Sequence, residues 1–119
     1  MSNLKNFDDI TVVIILYNSQ KVVKNCLDRF SKNQKLIVVD NCSSDQSVEI
    51  VDQLRPDAKI ILNQENKGYG SAVNQAFSIV DTTYILLINP DAVIVSSDLS
   101  KLHNAAEKNP NAGIVAPGR

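Results

Sequence analysis

Along this chain, continuous apolar runs alternate with segments whose apolar residues recur every three or four positions. The runs are rich in Val, Ile and Leu, which is typical of parallel strands buried on both faces. The intervening segments have the period of amphipathic helices. The predicted strands are Thr11–Tyr17, Lys35–Asp40, Lys59–Asn63 and Thr83–Asn89.

The intervening segments carry recognisable helix-start signals. One helix stripe comprises Val22, Val23, Cys26, Leu27 and Phe30, with Ser19 as its predicted N-cap. Ser43 and Gln46 have the spacing of a capping box that opens a second helix, ending at about Leu54. A third helix is predicted over Gly70–Val80, with these residues facing inward: Ala72, Val73, Ala76, Phe77 and Val80.

After Asp91 the pattern weakens. It predicts a short strand at Ala92–Val95, a helix at Asp98–Lys108 and the start of a strand at Gly113–Ala116. Strand-helix alternation predicts an α/β fold, with a mostly parallel sheet flanked by helices and the strand order 3-2-1-4. We expect residues 1–9 to be an N-terminal tail, residues 10–119 to belong to one domain, and the sheet to be incomplete at its edge.

Composition narrows the classes of partner and compartment. With 119 residues, 44% of them hydrophobic, the chain can bury one core. Its 12 basic and 13 acidic residues form no basic stripe, so nucleic acid is not an expected partner. Cys26 and Cys42 fit neither a disulfide framework nor a metal-ligand spacing, which indicates free thiols. No signal-peptide pattern and no membrane-spanning apolar run is present, so we expect a cytoplasmic protein.

Polar side chains follow three of the predicted strands. Tyr17 and Asn18 end the first, Asp40 the second, and Asn89 and Asp91 follow the fourth. In the predicted order the first and fourth strands meet where ligands bind in open α/β sheets. Tyr17 could then lie against a base. Asp40 could accept a hydrogen bond from a ring N–H of the base or from a ribose hydroxyl. Asp91 could hold Mg²⁺, which commonly takes one or two protein carboxylates and completes its shell with water and phosphate oxygens.

Each of these assignments has a structural alternative. Asp40 could cap a turn, Asn89-Pro90-Asp91 is a good turn sequence, and the Tyr17 ring could belong to the core. His103 is expected to be a surface or half-buried residue and not a catalytic base, and Cys42 is expected to be structural.

Gly68 and Gly70 match the first two glycines of a dinucleotide fingerprint. The third position is Val73, and the segment follows the third strand, so a nicotinamide enzyme is disfavoured. A helix that begins at these glycines would still favour a phosphate or a sugar hydroxyl, with Lys67 nearby. The alternative is a flexible turn.

Four ordered segments together resemble the family 2 glycosyltransferases of the GT-A fold, which is Rossmann-like. They are TVVIILYNS ending at Ser19, VVDNCSSD ending at Asp45, NKGYGSAVN ending at Asn74 and LLINPD ending at Asp91. The resemblance covers nearly all of the chain from Ile10 onward. The Asn-Pro-Asp form of the last motif resembles rhamnosyltransferase-type members, in which Asn89 stands where the family has the first Asp of its Asp-X-Asp motif.

The resemblance implies that this part of the domain binds a nucleotide-sugar donor, dTDP-rhamnose or a UDP-sugar. Asp91 would hold a divalent cation, Mg²⁺ or Mn²⁺. The implied donor-binding residues are Leu16, Tyr17, Asn18, Asp40, Asn66, Lys67, Gly68, Asn89 and Asp91. In the family, the general base and the site for a saccharide or lipid-linked acceptor belong to a later half, which nothing after Asp91 matches.

We therefore expect the parent protein to be an inverting glycosyltransferase involved in polysaccharide biosynthesis. The 119 residues alone are expected to bind a donor weakly or not at all and to transfer nothing. Peripheral membrane association and homo-oligomerisation of the full-length protein remain open. The competing hypotheses are a non-catalytic nucleotide-binding module, an interaction module that pairs through its sheet edge, and, ranked lower, a nucleotidyltransferase.

Overall fold

A computed structural model describes residues 4–92, 96–108 and 114–115 of the chain. The strands are β1 (Ile10–Leu16), β2 (Lys35–Asp40), β3 (Lys59–Leu62), β4 (Tyr84–Ile88) and β5 (Ile114–Val115). The helices are α1 (Val23–Asp28), α2 (Ser47–Leu54), α3 (Tyr69–Phe77) and α4 (Ser96–Lys108). The predicted strand at Ala92–Val95 falls largely outside the described residues, and of the predicted Gly113–Ala116 strand the structure describes Ile114–Val115.

All pairings in the sheet are parallel, in the order β3-β2-β1-β4-β5. The predicted order of the first four strands is confirmed, and β5 adds to the outer side of β4. Leu16 pairs with Asp40, and Ile14 pairs with Ile88. The carboxyl ends of β1, β2 and β4 therefore lie together at one edge of the sheet, where the strand order reverses between β1 and β4.

Side chains alternate between the two faces of the sheet and build two cores. Val12, Ile14 and Leu16 of β1 face the larger core, which α1, α2 and α4 cover. Val13 and Ile15 face the smaller core, which α3 covers through Ala72. This two-sided burial explains why the strands read as continuous apolar runs.

Two predicted helix starts are wrong. Helix α1 begins after Val22 with no side-chain cap, and α2 begins after Gln46, also without one. The hydroxyl of Ser19 bonds to the backbone of Tyr17, while the hydroxyl of Ser43 donates to Asp40. Both serines have partners in the loops, so neither caps the helix.

The third helix is also shorter than predicted, and its apolar stripe is narrower. It spans Tyr69–Phe77, with Ala72 and Ala76 fully buried. Phe77 was expected to face inward but is 41% exposed.

The segment predicted to be an N-terminal tail packs on the core in its described part. Leu4 and Phe7 are both buried in the larger core. The backbone N–H of Leu4 donates to Arg29 O at 3.0 Å, and that of Phe7 donates to Gln34 Oε1 at 2.8 Å. Residues 4–9 are therefore part of the folded domain, because their apolar side chains and backbone donors both have partners there.

Candidate functional site

An open crevice of about 530 Å³ lies at the carboxyl ends of β1 and β4. Among the residues predicted as donor-binding, it brings together Tyr17, Asn18, Asn66, Asn89 and Asp91. Residues that were not predicted to bind the donor complete the lining: Ile15, Ser19, Val22, Asn41, Tyr69 and Pro90. The crevice occupies the position where open α/β sheets bind their ligands.

Asp91 reaches the crevice from a tight turn. The backbone N–H of Ala92 donates to Asn89 O at 3.0 Å, which closes a four-residue turn with Pro90 as its second residue. Asp91 is exposed on this turn. The turn interpretation of this motif is thus correct, and the same turn presents the carboxylate to the crevice.

Tyr17 and Asn18 begin the loop after β1. The Tyr17 ring is 53% exposed and is not part of the core, which excludes the core alternative. Asn18 adopts a positive φ of 49°, a conformation that Asn tolerates better than most residues. Its backbone N–H donates to Ser43 Oγ at 2.9 Å, and its Oδ1 accepts from Ser44 N at 2.8 Å. Asn18 therefore links the loops that follow β1 and β2, in addition to lining the crevice.

Asp40 is only 4% exposed and does not line the crevice. Its carboxylate accepts from Ser43 N at 3.0 Å and from Ser43 Oγ at 2.6 Å. Asp40 therefore stabilises the turn that follows β2, which is the structural alternative considered for it. An ionised carboxylate accepts up to about four hydrogen bonds, so these two contacts leave acceptor capacity.

The Leu16 side chain is fully buried in the larger core, and its carbonyl accepts from Asn41 N at 2.9 Å. The Leu16 side chain therefore does not line the crevice, which begins at the next residue of the strand end, Tyr17.

The segment Asn66–Gly68 joins β3 to α3. Asn66 Oδ1 accepts from Gly68 N at 2.8 Å, which leaves the Asn66 amide nitrogen as its donor toward the crevice. Gly68 has φ of 86° and immediately precedes α3. Lys67 lines a neighbouring hollow with Leu62 and Glu65, so the structure does not bring it into the crevice.

Two crevice residues were missed although the sequence carried a signal for each. Asn41 directly follows Asp40, and polar residues at strand ends were the signal used elsewhere. Tyr69 stands between two glycines at the start of α3 and is about half exposed. Partial burial raises the pKa of its hydroxyl. The crevice therefore offers two accessible aromatic rings, Tyr17 and Tyr69.

Neither cysteine is arranged as a nucleophile. Both are free, as predicted. Burial and, to a smaller extent, the nearby charge of Asp91 together raise the pKa of Cys26 to about 12, while Arg29 opposes them. Cys42 is exposed, and its thiol donates to Gln64 O at 3.4 Å.

A separate group of possible metal ligands lies at the opposite end of the sheet. Ligand atoms of Asp9, His103 and Glu107 lie within 4.8 Å of one another. His103 Nε2 is 2.8 Å from Asp9 Oδ2, whereas its Nδ1 is 3.7 Å from Glu107 Oε1. Because Asp9 precedes β1, this group is remote from Asp91. His103 is half-buried, as predicted, and links α4 to the start of β1.

Within the described part of the chain, no helix combines the length and the apolar character needed to cross a membrane.

Comparison with known proteins agrees with this architecture. The family described as Glycosyl transferase family 2 matches residues 11–118. The chain is 30% identical over 106 residues to Glycosyltransferase GlyG of Streptococcus pneumoniae serotype 4, covering 83% of this chain and 35% of that protein. It is 29% identical over 110 residues to the poly(ribitol-phosphate) beta-glucosyltransferase of Bacillus spizizenii, covering 84% of this chain and 17% of that protein.

Among solved structures, the fold is similar to that of S. aureus TarS 1-349 in complex with UDP. The TM-score is 0.72 at 25% identity, and the match covers 84% of this chain and 32% of that one. The chain thus spans a third or less of the TarS structure and about a third or less of these two relatives. The family match extends over nearly the whole chain and includes every residue of the crevice, and the chain therefore belongs to glycosyl transferase family 2.

Proposed function

We propose that this chain forms the donor-binding part of an inverting glycosyltransferase that takes a sugar from a nucleotide diphosphate. The observation that carries the proposal is the exposed Asp91 carboxylate, which a turn holds in the crevice that Tyr17 and Asn66 also line. At the point where the strand order reverses, the carboxylate can hold a cation and the exposed ring can contact a base. The amide can bind a polar sugar or a phosphate.

The crevice offers a separate position for each part of the donor. The exposed Tyr17 side chain can stack on the base, whereas Asp40 is buried beneath the strand ends and stabilises the loop that follows β2. The start of α3 supplies free backbone N–H groups, which favour a phosphate. The donor that we propose is dTDP-rhamnose or a UDP-sugar. The similarity to TarS, solved with UDP, supports a pyrimidine nucleotide, and the Asn-Pro-Asp motif supports dTDP-rhamnose.

The residues at the turn fit a divalent cation, Mg²⁺ or Mn²⁺. Asp91 is exposed and supplies one hard oxygen ligand, which suffices for an ion that keeps waters and phosphate oxygens in its shell. When bound, such an ion neutralises the charge that develops on the departing nucleotide diphosphate. The remote group around His103 is not part of this proposal.

The acceptor that we propose is a saccharide or a lipid-linked saccharide. The relative named poly(ribitol-phosphate) beta-glucosyltransferase supports a polymeric acceptor, because its name gives poly(ribitol-phosphate) as a substrate. Inversion requires a general base that removes the proton from the acceptor hydroxyl as it attacks. We assign no crevice residue to that role, so these residues are expected to bind a donor without transferring its sugar.

The test is an NMR-monitored titration of the 119-residue chain with UDP and dTDP to millimolar concentration, with and without Mg²⁺ or Mn²⁺. Diamagnetic Mg²⁺ allows chemical shifts to be mapped, and Mn²⁺ broadens signals near its site. We expect the shifts to cluster at the crevice. Asp91→Ala and Asp91→Asn should weaken metal-dependent binding about tenfold or more, because a charged contact is lost.

Asp52→Ala is the matched control, because it removes one exposed acidic side chain from α2, outside the crevice. It should leave the affinity unchanged. Of the two expectations, weak binding and none, the proposal adopts weak binding. A folded chain that binds neither nucleotide at millimolar concentration, or one whose binding ignores both the metal and Asp91, would overturn it. Sugar transfer by these 119 residues, abolished in Asp91→Ala, would refute the assignment of the general base to another part of the protein.

A further inference from the structure

We propose that Asn41 is a positioning residue that fixes the segment Asn66–Gly68 and the start of α3 against the crevice. This inference rests on the proposed function, since it assigns a role in donor binding. Asn41 follows β2, is buried, and lies among the crevice residues. Its side chain contacts the backbone of two consecutive residues of a segment that is far away in sequence.

The orientation of the Asn41 amide is determined by these backbone partners. Asn41 Nδ2 donates to Gly68 O at 3.2 Å, and Asn41 Oδ1 accepts from Lys67 N at 3.4 Å. A carbonyl can only accept and an N–H can only donate, so the opposite amide orientation would place like groups against each other. The side chain thus holds the segment as a neighbouring strand would, with one donor and one acceptor.

A second arm runs from Asn41 to α3. Asn63 Nδ2 donates to Asn41 Oδ1 at 2.9 Å and to Gln75 Oε1 at 2.8 Å. Gln75 Nε2 returns a hydrogen bond to Asn63 Oδ1 at 2.9 Å. Because the direction of the first bond is set at Asn41, the amide orientations of Asn63 and Gln75 follow from it. We call these three side chains the amide chain.

The segment that Asn41 holds carries the groups we assign to the donor. Asn66 is tied to it through Gly68 N, and the Gly68 carbonyl also accepts the first helical hydrogen bond of α3, from Ala72 N at 3.2 Å. A shift of Gly68 would therefore move both the Asn66 amide and the N-terminal N–H groups of α3. The proposed function assigns these groups to the phosphate and sugar of the donor, whereas Tyr17 belongs to a different loop, the one that follows β1.

Because the phosphate-side groups and Tyr17 belong to different loops, a loss of positioning by Asn41 should affect the binding of the second phosphate and not that of the base. The ratio of the dissociation constants for UMP and UDP, each with Mg²⁺, measures the contribution of the second phosphate. Asn41→Ala should weaken UDP binding about tenfold, the equivalent of one or two hydrogen bonds, and should leave UMP binding nearly unchanged. Asn41→Asp should act in the same way, since it keeps both acceptor contacts but sets an oxygen against Gly68 O.

Gln75→Ala is the matched control, because it removes the outer end of the amide chain and leaves both contacts of Asn41 with the segment. It should preserve the ratio. If Gln75→Ala lowers the ratio as much as Asn41→Ala, or if Asn41→Ala weakens UMP and UDP equally, Asn41 supports only the fold and the proposal fails.

Backbone ¹⁵N relaxation without ligand tests the same inference independently of nucleotide binding. The order parameters of Lys67 and Gly68 should be about 0.85 in the wild type and in Gln75→Ala, and below about 0.6 in Asn41→Ala. Unchanged order parameters in Asn41→Ala would overturn the proposal. If the wild type binds neither nucleotide while the order parameters change as expected, the proposed function fails and the holding of the segment by Asn41 stands.

Discussion

At the scale of single residues, the most deeply buried charged side chain in the described part of the chain is that of Arg55, which is 1% exposed. Its Nη2 donates to Gln34 O, and it forms a two-point contact with Asp57, from Nε at 2.9 Å and from Nη2 at 2.7 Å. Among the described residues, Nη1 has no hydrogen-bond partner. A buried guanidinium is costly unless paired, so Asp57 carries much of the compensation for burying Arg55.

We expect Asp57→Ala to lower the free energy of unfolding at pH 7 by about 1 kcal/mol, a value reduced because the Asp57 carboxylate is half exposed and screened by solvent. The hydrogen bond from Arg55 lowers the pKa of Asp57 from 3.8. The stabilisation is therefore fully present above pH 3.8 and is lost as the pH falls through the lower folded pKa. Urea unfolding of both proteins should show a difference that shrinks toward pH 2.

Asp52→Ala removes an exposed carboxylate from α2 and should change the free energy of unfolding by less than about 0.5 kcal/mol. An Asp57→Ala difference that stays constant between pH 7 and pH 2 would contradict the ion-pair account.

At the residue scale, the structure places Asp91 and Tyr17 in the crevice, because each lies just beyond an apolar run whose end is visible in the sequence. The Leu16 side chain, one position before Tyr17, faces the core. Side chains alternate along a strand, so a shift of one residue moves a side chain from the crevice edge into the core. The contacts of Asn41 with Lys67 and Gly68 join segments far apart in sequence, so no local sequence pattern predicts them.

At the scale of elements, β1 to β4 were predicted to within about one residue, while the starts of α1 and α2 were not. A buried strand is defined by its own apolar run. A helix start depends on where the serine hydroxyls find partners, and here Ser43 bonds to Asp40 while Ser47 Oγ accepts from Ser19 N at 2.7 Å. A contact within the loop after β2 and a contact between Ser19 and the first residue of α2 replace the caps that the spacing of the serines predicted.

The start of α3 provides a prediction at the element scale. Gly68 has φ of 86°, and an added Cβ would meet no atom within 4 Å. Gly68→Ala is therefore expected to destabilise the fold by about 1 to 2 kcal/mol through backbone strain alone, without a steric clash. The loss is measured as a lower urea midpoint with an unchanged m value.

Gly70 is the matched control for Gly68. An added Cβ there also meets no atom within 4 Å, but Gly70 lies inside α3 without a positive φ. Gly70→Ala should stabilise the chain by about 0.5 to 1 kcal/mol, because Ala favours the helix and restricts the unfolded state. Opposite signs for the two substitutions are expected. Equal destabilisation would contradict the assignment of the strain to Gly68.

At the scale of the whole molecule, the parallel sheet, its order from β3 to β4 and the edge that carries the crevice were all predictable. They follow from strand-helix alternation and from the rule that ligands bind where the strand order reverses. The described part of the N-terminal segment was not predictable as part of the fold. Leu4 and Phe7 are isolated apolar residues among polar ones and show no strand or helix period, so only the tertiary structure reveals their burial.

Phe7 joins three parts of the molecule. Its backbone N–H donates to Gln34 and its carbonyl accepts from Gln34 Nε2 at 3.0 Å, which connects the segment to the residue that precedes β2. Its ring centroid lies 4.5 Å from that of His103 on α4, and His103 also bonds to Asp9. The segment thus holds α4 against the amino end of the sheet, at the end opposite the crevice.

We therefore expect Phe7→Ala to lower the free energy of unfolding by about 3 kcal/mol, as for a buried aromatic side chain. Phe77→Ala, which truncates the same side chain at a position 41% exposed, should lower it by less than about 1 kcal/mol. Because Phe7 lies far from the crevice, the nucleotide affinity of the folded fraction should be the same in both variants. Urea unfolding measures the first quantity and the UDP titration the second. Equal stability of the two variants would mean that residues 4–9 contribute little to the core.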